Sequence, residues 1–261
     1  MADERRVRTE RRGHVLVMTL NRVDKRNAFD EGMFRALCET YTELETDPGL
    51  RCGVLFGDGP HFTAGADIAD IAFKIMDGIE LLDPDLVNPW NTGGVPRLTP
   101  VVAAAHGRCF TLGIELLLAA DVRIADETAR FAQTEVMGGI LPFGGATSRF
   151  VRTAGWGNAM RWMLTGEEFD AAEALRFGLV QEIVPAGQHV TRALELAERI
   201  AEQAPLGVRA TMQSAMVAVT QGDDACHAGL SAQIRQLLTT EDARIGMKAF
   251  LSRTKAEFIG R

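Results

Sequence analysis

The chain has 261 residues, a length that fits one large domain or one domain with a modest addition. Its hydrophobic share of 46% and charged share of 24% are typical of a globular protein, which excludes a disordered, collagen-like or coiled-coil chain. The formal net charge of −7 argues against a nucleic-acid partner, because such partners require a basic face. No apolar run reaches the length of a membrane span, so we expect no membrane partner.

The cysteines indicate the compartment and argue against a metal site. Cys38, Cys52, Cys109 and Cys226 form neither a C-x-x-C pair nor a zinc-like spacing, and the five histidines form no cluster. The N-terminal stretch has no apolar segment of the kind found in secretory signals. We therefore expect reduced thiols in a cytoplasmic-type compartment and no metal.

The first sixty residues predict a strand–helix–strand unit. Residues 14–20 are apolar and β-branched, as in a strand, and residues 51–56 have the same character. Between them, Asp30 is placed to cap a helix that stops at residues 47–49. One face of this helix would be apolar at a period of 3.6 residues, through Met33, Phe34, Leu37, Cys38, Tyr41 and Leu44. This order favours a parallel sheet.

The same alternation continues to about residue 200. Strands are predicted at 101–105, 122–125 and 179–184, and helices at 112–120 and 171–177, the second capped by Asp170. After residue 187 the pattern is only helical, with breaks at 204–205, 222–223 and 239–240. We predict a mixed α/β body, residues 1–200, that holds the active site, and a helical module, residues 201–261.

Two glycine-bearing turns are the most informative stretches, GDGPHFTAGADI at 57–68 and HGRCFTLGIEL at 106–116. Each would lead from a strand into a helix, where free backbone N–H groups favour a negative oxygen. Two such turns can place one N–H each on the same oxygen, as an oxyanion hole requires. The alternative is that Gly65 and Gly113 are ordinary turn and packing glycines and that Asp67 is a plain N-cap.

Two glutamates accompany these turns. Glu115 lies in an almost wholly apolar helix, and a buried carboxylate is either paired structurally or used chemically. Glu135 follows a strand and precedes a glycine-rich loop, so it is either a second site carboxylate or an exposed loop residue. Two carboxylates beside an oxyanion hole suit the addition of water, since one handles the water proton and the other the carbon-bound proton.

With these turns and glutamates, the chain resembles the enoyl-CoA hydratase/isomerase (crotonase) superfamily. The resemblance runs through NRVDKRNAF, FTAGADI, HGRCFTLGIELLLAADVRIA, FAQTEV, GILPFGG, LTGEEFDAAEALRFGLVQEIVP and LSRTKAEFIGR, in that order. It implies a spiral of ββα units with a C-terminal helical trimerisation module, and a homotrimer or a hexamer built as a dimer of trimers. It implies no cofactor, because coenzyme A enters as part of an acyl-CoA substrate.

The resemblance also implies the roles of individual residues. Ala66 and Leu112 match the positions whose backbone N–H groups polarise the thioester carbonyl. Glu115 and Glu135 match the glutamate pair of the hydratases. The implied reaction is syn addition of water to a trans-2-enoyl-CoA, in which Glu115 deprotonates water and Glu135 delivers the α-proton to the thioester enolate.

Other positions are implied to contact coenzyme A or the substrate. Those within the first 150 residues are Lys25, Arg26, Ala28, Ala64, Asp67, Ile68, Gly113 and Phe143. Lys255 and Phe258 would reach the coenzyme of a neighbouring subunit.

Three departures from the family pattern leave the exact reaction and acyl chain open. Leu112 and Phe143 stand where many relatives have glycine, and the segment 70–98 is long and unlike the usual helix. Alternatives on the same scaffold are double-bond isomerisation, hydrolysis of a thioester or β-diketone, dehalogenation and decarboxylation. A non-catalytic assembly or binding protein is the alternative of another class.

Overall fold

Two β-sheets and ten α-helices make up the part of the chain that the computed structural model describes, residues 5–261. The strands of the large sheet are β1 (Val7–Arg12), β2 (Val15–Leu20), β3 (Cys52–Gly57), β4 (Val101–Ala105), β6 (Val122–Asp126) and β9 (Glu182–Val184). Their order is β1-β2-β3-β4-β6-β9, antiparallel between β1 and β2 and parallel elsewhere. The small sheet contains β5 (Arg108–Phe110), β7 (Arg130–Ala132) and β8 (Phe169–Asp170).

The helices follow the strands in alternation and then continue alone. Those of the α/β body are α1 (Glu31–Thr46), α2 (Ile68–Met76), α3 (Leu112–Ala119), α4 (Ala146–Ala154), α5 (Trp156–Thr165), α6 (Ala171–Arg176) and α7 (His189–Ala201). The last three are α8 (Pro205–Gln221), α9 (Asp223–Leu238) and α10 (Glu241–Ser252). The predicted helical C-terminal region is confirmed, and its breaks lie at the predicted positions.

The body is built from repeated ββα units. In each unit one strand joins the large sheet, the next joins the small sheet, and a helix follows, as in β4-β5-α3 and β6-β7-α4. The segment after β3 follows the same plan, since Thr63 bridges Cys109 of β5 in parallel before the chain enters α2. The expected mixed α/β spiral is therefore confirmed.

Helix α1 forms as predicted from its cap and its apolar stripe. A carboxylate oxygen of Asp30 accepts a hydrogen bond from the Met33 N–H at 2.8 Å, which satisfies a free donor at the start of the helix. All six apolar residues predicted for its inner face are buried. Asp170 caps α6 in the same way, through the Glu173 N–H at 2.9 Å.

Two strand predictions need correction. The strand predicted first, residues 14–20, is β2, because β1 precedes it as an edge strand whose exposed side chains are mostly charged. The basic residues of this N-terminal stretch form ion pairs, as between Arg8 and Asp58 and between Arg11 and Asp47. In the segment 179–184 only Glu182–Val184 forms a strand, since Gly178 ends the preceding helix in a left-handed turn.

Both faces of the large sheet are covered. Alternation along β2 turns Leu16 and Met18 towards the cluster that includes α1 and α3, and Val15 and Val17 towards α7. In contrast, α8 and α9 bury no residue within this chain. The division at residue 200 stays a prediction. Within residues 5–261, no helix has the length and apolar character needed to cross a membrane.

Candidate active site

The first glycine turn leaves one backbone donor unused. Phe29 donates its N–H to the Gly65 carbonyl at 2.8 Å and accepts the Asp67 N–H at 2.9 Å. This bridge ties the residues on both sides of Ala66 but does not engage the Ala66 N–H. Ala66 lines the cavity described below, and the role of its N–H as a donor to a ligand oxygen stays a prediction.

The second glycine turn offers a similar donor at the start of α3. Thr111 donates its N–H to Ala132 at 2.8 Å and has a positive φ of 49°, a strained conformation for a β-branched residue. Leu112 follows as the first residue of the helix, where an N–H has no acceptor within the helix. The two turns are held together by Thr63, which accepts the Phe110 N–H at 3.1 Å.

Glu115 is a fully buried carboxylate with one unsatisfied oxygen. Its Oε1 accepts the Ala146 N–H at the start of α4 at 2.8 Å, whereas Oε2 has no hydrogen-bond partner in the described chain. Burial, opposed by the Ala146 N–H and reinforced by the charge of Glu135, raises the pKa of Glu115 to about 7. The carboxylate is thus poised to exchange a proton near neutral pH.

Glu135 has the same character on a different element. It begins a 3-10 turn, Glu135–Gly138, and only 6% of it is exposed, which excludes the alternative of a solvent-exposed loop carboxylate. Its Oε1 accepts the Gln133 side-chain amide at 2.9 Å, and its Oε2 is buried with no hydrogen-bond partner among the residues that the structure describes. Burial raises the pKa of Glu135 to about 7. Two coupled groups with similar pKa values can hold one proton between them.

A cavity of about 1090 Å³ opens beside these groups. Its lining includes Ala64 and Ala66 from the first turn, Thr111 from the second, and Glu135. The rest of the lining is mostly apolar and comes from α2, the segment after it, and the loop that follows Glu135. The cavity therefore joins a polar end, with Thr111 and Glu135, to a large apolar space.

Five of the residues predicted for the site line the cavity directly: Ala64, Ala66, Ile68, Glu135 and Phe143. The others with predicted roles do not line it: Lys25, Arg26, Ala28, Asp67, Leu112, Gly113, Glu115, Lys255 and Phe258. Several of these are close in the chain or bonded to lining residues. The Arg26 carbonyl accepts the Ala64 N–H at 2.9 Å, which places the turn at 22–28 beside the cavity. The Leu112 side chain is buried in the core.

Lys255 and Phe258, the two site residues predicted near the C-terminus, contact parts of this chain away from the cavity lining. Lys255 forms an ion pair with Glu202 at 2.6 Å. The carbonyl of Phe258 accepts a hydrogen bond from Arg51 at 2.8 Å, which fastens the C-terminal segment to the residue before β3. Their role at a neighbouring subunit's coenzyme stays a prediction.

Three supporting residues were not found from the sequence. Arg22 forms ion pairs with Asp30 and with Asp67, and so links the starts of α1 and α2. Trp90 donates its indole N–H to the Leu112 carbonyl at 3.1 Å. Gln133 lies two residues before Glu135 and donates its side-chain amide to that carboxylate, but Thr134 between them is not extended, so no strand pattern indicates the contact.

Comparison with known proteins supports a family assignment. The family model described as enoyl-CoA hydratase/isomerase matches residues 10–261. The chain is 34% identical to enoyl-CoA hydratase EchA19 of Mycobacterium tuberculosis over 97% of this chain and 96% of that protein. It is 35% identical to the 2,3-dehydroadipyl-CoA hydratase of Escherichia coli over 96% and 97%.

A solved structure agrees with these sequences. The crystal structure of a probable enoyl-CoA hydratase/isomerase from Mycobacterium abscessus superposes with a TM-score of 0.97 at 56% identity, covering 99% of this chain and 100% of that one. The chain thus belongs to the enoyl-CoA hydratase/isomerase, or crotonase, family.

Proposed function

We propose that this protein is an enoyl-CoA hydratase, a lyase that adds water across the double bond of a trans-2-enoyl-CoA. The observation that carries the proposal is the pair Glu115 and Glu135, two buried carboxylates with pKa values raised to about 7, each with an oxygen that no group within residues 5–261 satisfies. Water addition needs one base and one acid, and such a pair supplies both. The names of the relatives point to the same reaction.

The thioester oxygen would accept hydrogen bonds from the Ala66 and Leu112 N–H groups. Negative charge moves onto this oxygen when water attacks the β-carbon, and fixed donors stabilise the resulting enolate more than the starting thioester. Both N–H groups stand at turns tied by neighbouring backbone bonds, so little reorganisation is needed as the charge develops.

The proton steps use the two carboxyl groups in opposite states. Ionised Glu115 takes a proton from water as the hydroxyl oxygen bonds to the β-carbon, and protonated Glu135 gives its proton to the α-carbon of the enolate. The product gains one hydroxyl group and one hydrogen. The proton left on Glu115 then exchanges with Glu135 through water, which restores the starting states.

The rest of the substrate would follow the predicted path. Coenzyme A is part of the substrate, and the mechanism needs no further cofactor. The pantetheine and nucleotide of coenzyme A would pass Ala64, Asp67, Ile68 and Gly113. They would then meet the turn that contains Lys25, Arg26 and Ala28. Phe143, which lines the cavity, would contact the acyl part.

We also propose a homotrimer or a dimer of trimers, in which the C-terminal helices form contacts between subunits. Apolar side chains on α8, α9 and α10 are exposed in the single chain, among them Val219, Ile234, Leu238, Phe250 and Leu251. Large exposed apolar patches of this kind mark interaction surfaces. Light scattering on the purified protein measures the assembly directly, and a monomer would contradict it.

Hydration of trans-2-butenoyl-CoA, with Glu115→Gln and Glu135→Gln beside the parent, tests the reaction. Glutamine keeps the oxygen that accepts the Ala146 or Gln133 donor but cannot transfer the proton, so kcat should fall about 10²–10⁴-fold in each variant. Glu39→Gln on the exposed face of α1 is the matched control and should keep the parent activity.

One result would overturn the proposal. If the parent binds coenzyme A thioesters yet hydrates no enoyl chain of any length, the reaction is a different one. Substrates for isomerisation and hydrolysis would then be examined.

A further inference from the structure

Helix α2 turns an apolar stripe towards the cavity. Ile68, Ile71, Ala72, Ile75 and Met76 recur at the spacing of one helix face, which normally packs into a core. Here all five line the cavity, and Met76 is 79% exposed. An apolar face that meets open space beside a reacting group is suited to an apolar ligand.

The opposite wall has the same character. After Glu135 the chain places Met137, Ile140, Leu141 and Phe143 along the cavity, all with substantial exposure and Met137 with 72%. Phe34, Leu81 and Leu82 are further apolar residues of the lining. From Ile71, the first stripe residue beyond the proposed coenzyme A path, to Met76 the α2 wall extends about 7.5 Å at the helical rise of 1.5 Å per residue. A four-carbon acyl chain would leave part of this wall and the segment after it uncovered.

The charges of the lining restrict the ligand further. Glu80 and Glu135 are the charged residues there, and both are acidic. No Lys, Arg or His from residues 5–261 lines the cavity. A carboxylate at the far end of an acyl chain would lose its water and find no cation, which is strongly unfavourable.

We infer that the substrate is an enoyl-CoA whose acyl group is a hydrocarbon larger than four carbons and without a terminal carboxylate. The inference rests on the proposed hydratase function, since it takes the acyl chain to extend from the thioester at Ala66 and Leu112. It separates this protein from a relative named for 2,3-dehydroadipyl-CoA and from one named for short-chain enoyl-CoA.

A substrate series tests chain length, and a matched pair tests charge. Each methylene moved from water onto the apolar walls should raise kcat/KM about fourfold, or roughly 250-fold for the four methylenes between butenoyl-CoA and octenoyl-CoA. Hexenoyl-CoA and 2,3-dehydroadipyl-CoA have the same number of acyl carbons, and hexenoyl-CoA should react about 100-fold faster. A flat length profile, or equal rates for the pair, would overturn the inference.

Substitutions on α2 assign the effect to this cavity. Ala72→Phe fills the space between the walls and should lower the ratio of octenoyl-CoA to butenoyl-CoA activity about tenfold or more. Ala69→Phe makes the same change on an exposed position of the same helix and should leave the ratio unchanged. If Ala72→Phe does not fold, Ile79→Asp places a charge on the lining and should lower the same ratio.

Binding of saturated thioesters separates the inference from the proposed function. By calorimetry, octanoyl-CoA should bind roughly 250-fold more tightly than butanoyl-CoA, and adipyl-CoA should bind weakly. If octanoyl-CoA binds in this way but no enoyl-CoA is hydrated, the proposed reaction fails and the cavity assignment holds. If butenoyl-CoA is hydrated and octanoyl-CoA has no advantage, the reaction holds and this inference fails.

Discussion

A β-carbon at Gly65 would overlap the hydroxyl oxygen of Thr111. Both residues have a positive φ, 94° at Gly65 and 49° at Thr111, and each directly precedes a proposed oxyanion-hole donor. The two turns are therefore fitted to each other: the conformation that presents the Ala66 N–H leaves room for the side chain beside the Leu112 N–H.

Gly65→Ala should separate the two donors. The methyl group forces one turn to move, and loss of one aligned donor lowers kcat about 10²–10³-fold. Steady-state kinetics on an enoyl-CoA substrate measure this loss. Gly13→Ala is the control, because Gly13 also has a positive φ but no atom within 4 Å of an added β-carbon. Retained kcat in a folded Gly65→Ala protein would show that the turns are not fitted in this way.

The pH dependence of the rate should be bell-shaped. Catalysis needs one ionised and one protonated carboxyl group, and the pKa values of Glu115 and Glu135 are both raised to about 7. At lower pH both groups are protonated, and at higher pH both are ionised, so kcat/KM should peak near pH 7. A profile measured between pH 5 and 9 tests this, and a rate that stays constant across that range would contradict it.

Glu115→Gln should stabilise the protein in alkaline solution. Above a pH of about 4.5 the unfolded chain releases this proton, whereas the folded chain keeps it up to pH 7, so folding stability falls as the pH rises between these values. Above pH 7 glutamine avoids the buried charge, and the gain should be on the order of 2–3 kcal/mol. Urea unfolding at pH 8 and pH 5 measures the difference.

The stability gain should shrink towards zero below pH 4.5, where the folded and unfolded parent are both largely protonated. Glu39→Gln on the surface should show no comparable gain at either pH. Equal stability of Glu115→Gln and the parent at pH 8 would mean that Glu115 stays well solvated.

Arg22→Met should destabilise the fold and disturb the first turn. The Arg22 side chain is only 11% exposed and forms an ion pair with Asp67 at 2.8 Å. Loss of the guanidinium leaves the Asp67 carboxylate without this cation. Removal of one partner of a poorly solvated ion pair costs about 2–4 kcal/mol. Denaturant unfolding measures this, and Arg12→Met, which breaks the exposed pair with Glu10, should leave the midpoint nearly unchanged.

The sequence predicts elements well where the signal is local. Asp30 and the apolar stripe of α1 are read from adjacent residues, and the breaks between the C-terminal helices follow from Pro205, Gly222 and Thr240. Strand β1 has charged, exposed side chains and lacks apolar alternation, so the sequence alone does not distinguish it from a solvated tail. Strands β5, β7 and β8 are two or three residues long, too short to show a period.

The site residues, like the helices and strands, were predicted where their signal is local in the sequence. Glu115 stands out because a charge in an apolar helix is visible locally, and the structure buries it as that pattern indicates. The role of Trp90 could not be predicted from the sequence. Its hydrogen bond to Leu112 joins residues 22 positions apart, and Trp90 lies in a loop without regular structure. The apolar wall opposite α2 was likewise hidden, because the meeting of two segments depends on the tertiary fold.

Trp90 also makes the site observable by fluorescence. Its ring packs against Phe34, which lines the cavity, and its indole N–H is bonded to the carbonyl of Leu112. The other two tryptophans, Trp156 and Trp162, lie on α5. With both changed to phenylalanine, the remaining tryptophan emission would come from Trp90, beside the proposed oxyanion-hole residue Leu112. A stopped-flow fluorescence trace would then measure the rate of ligand binding without a labelled substrate.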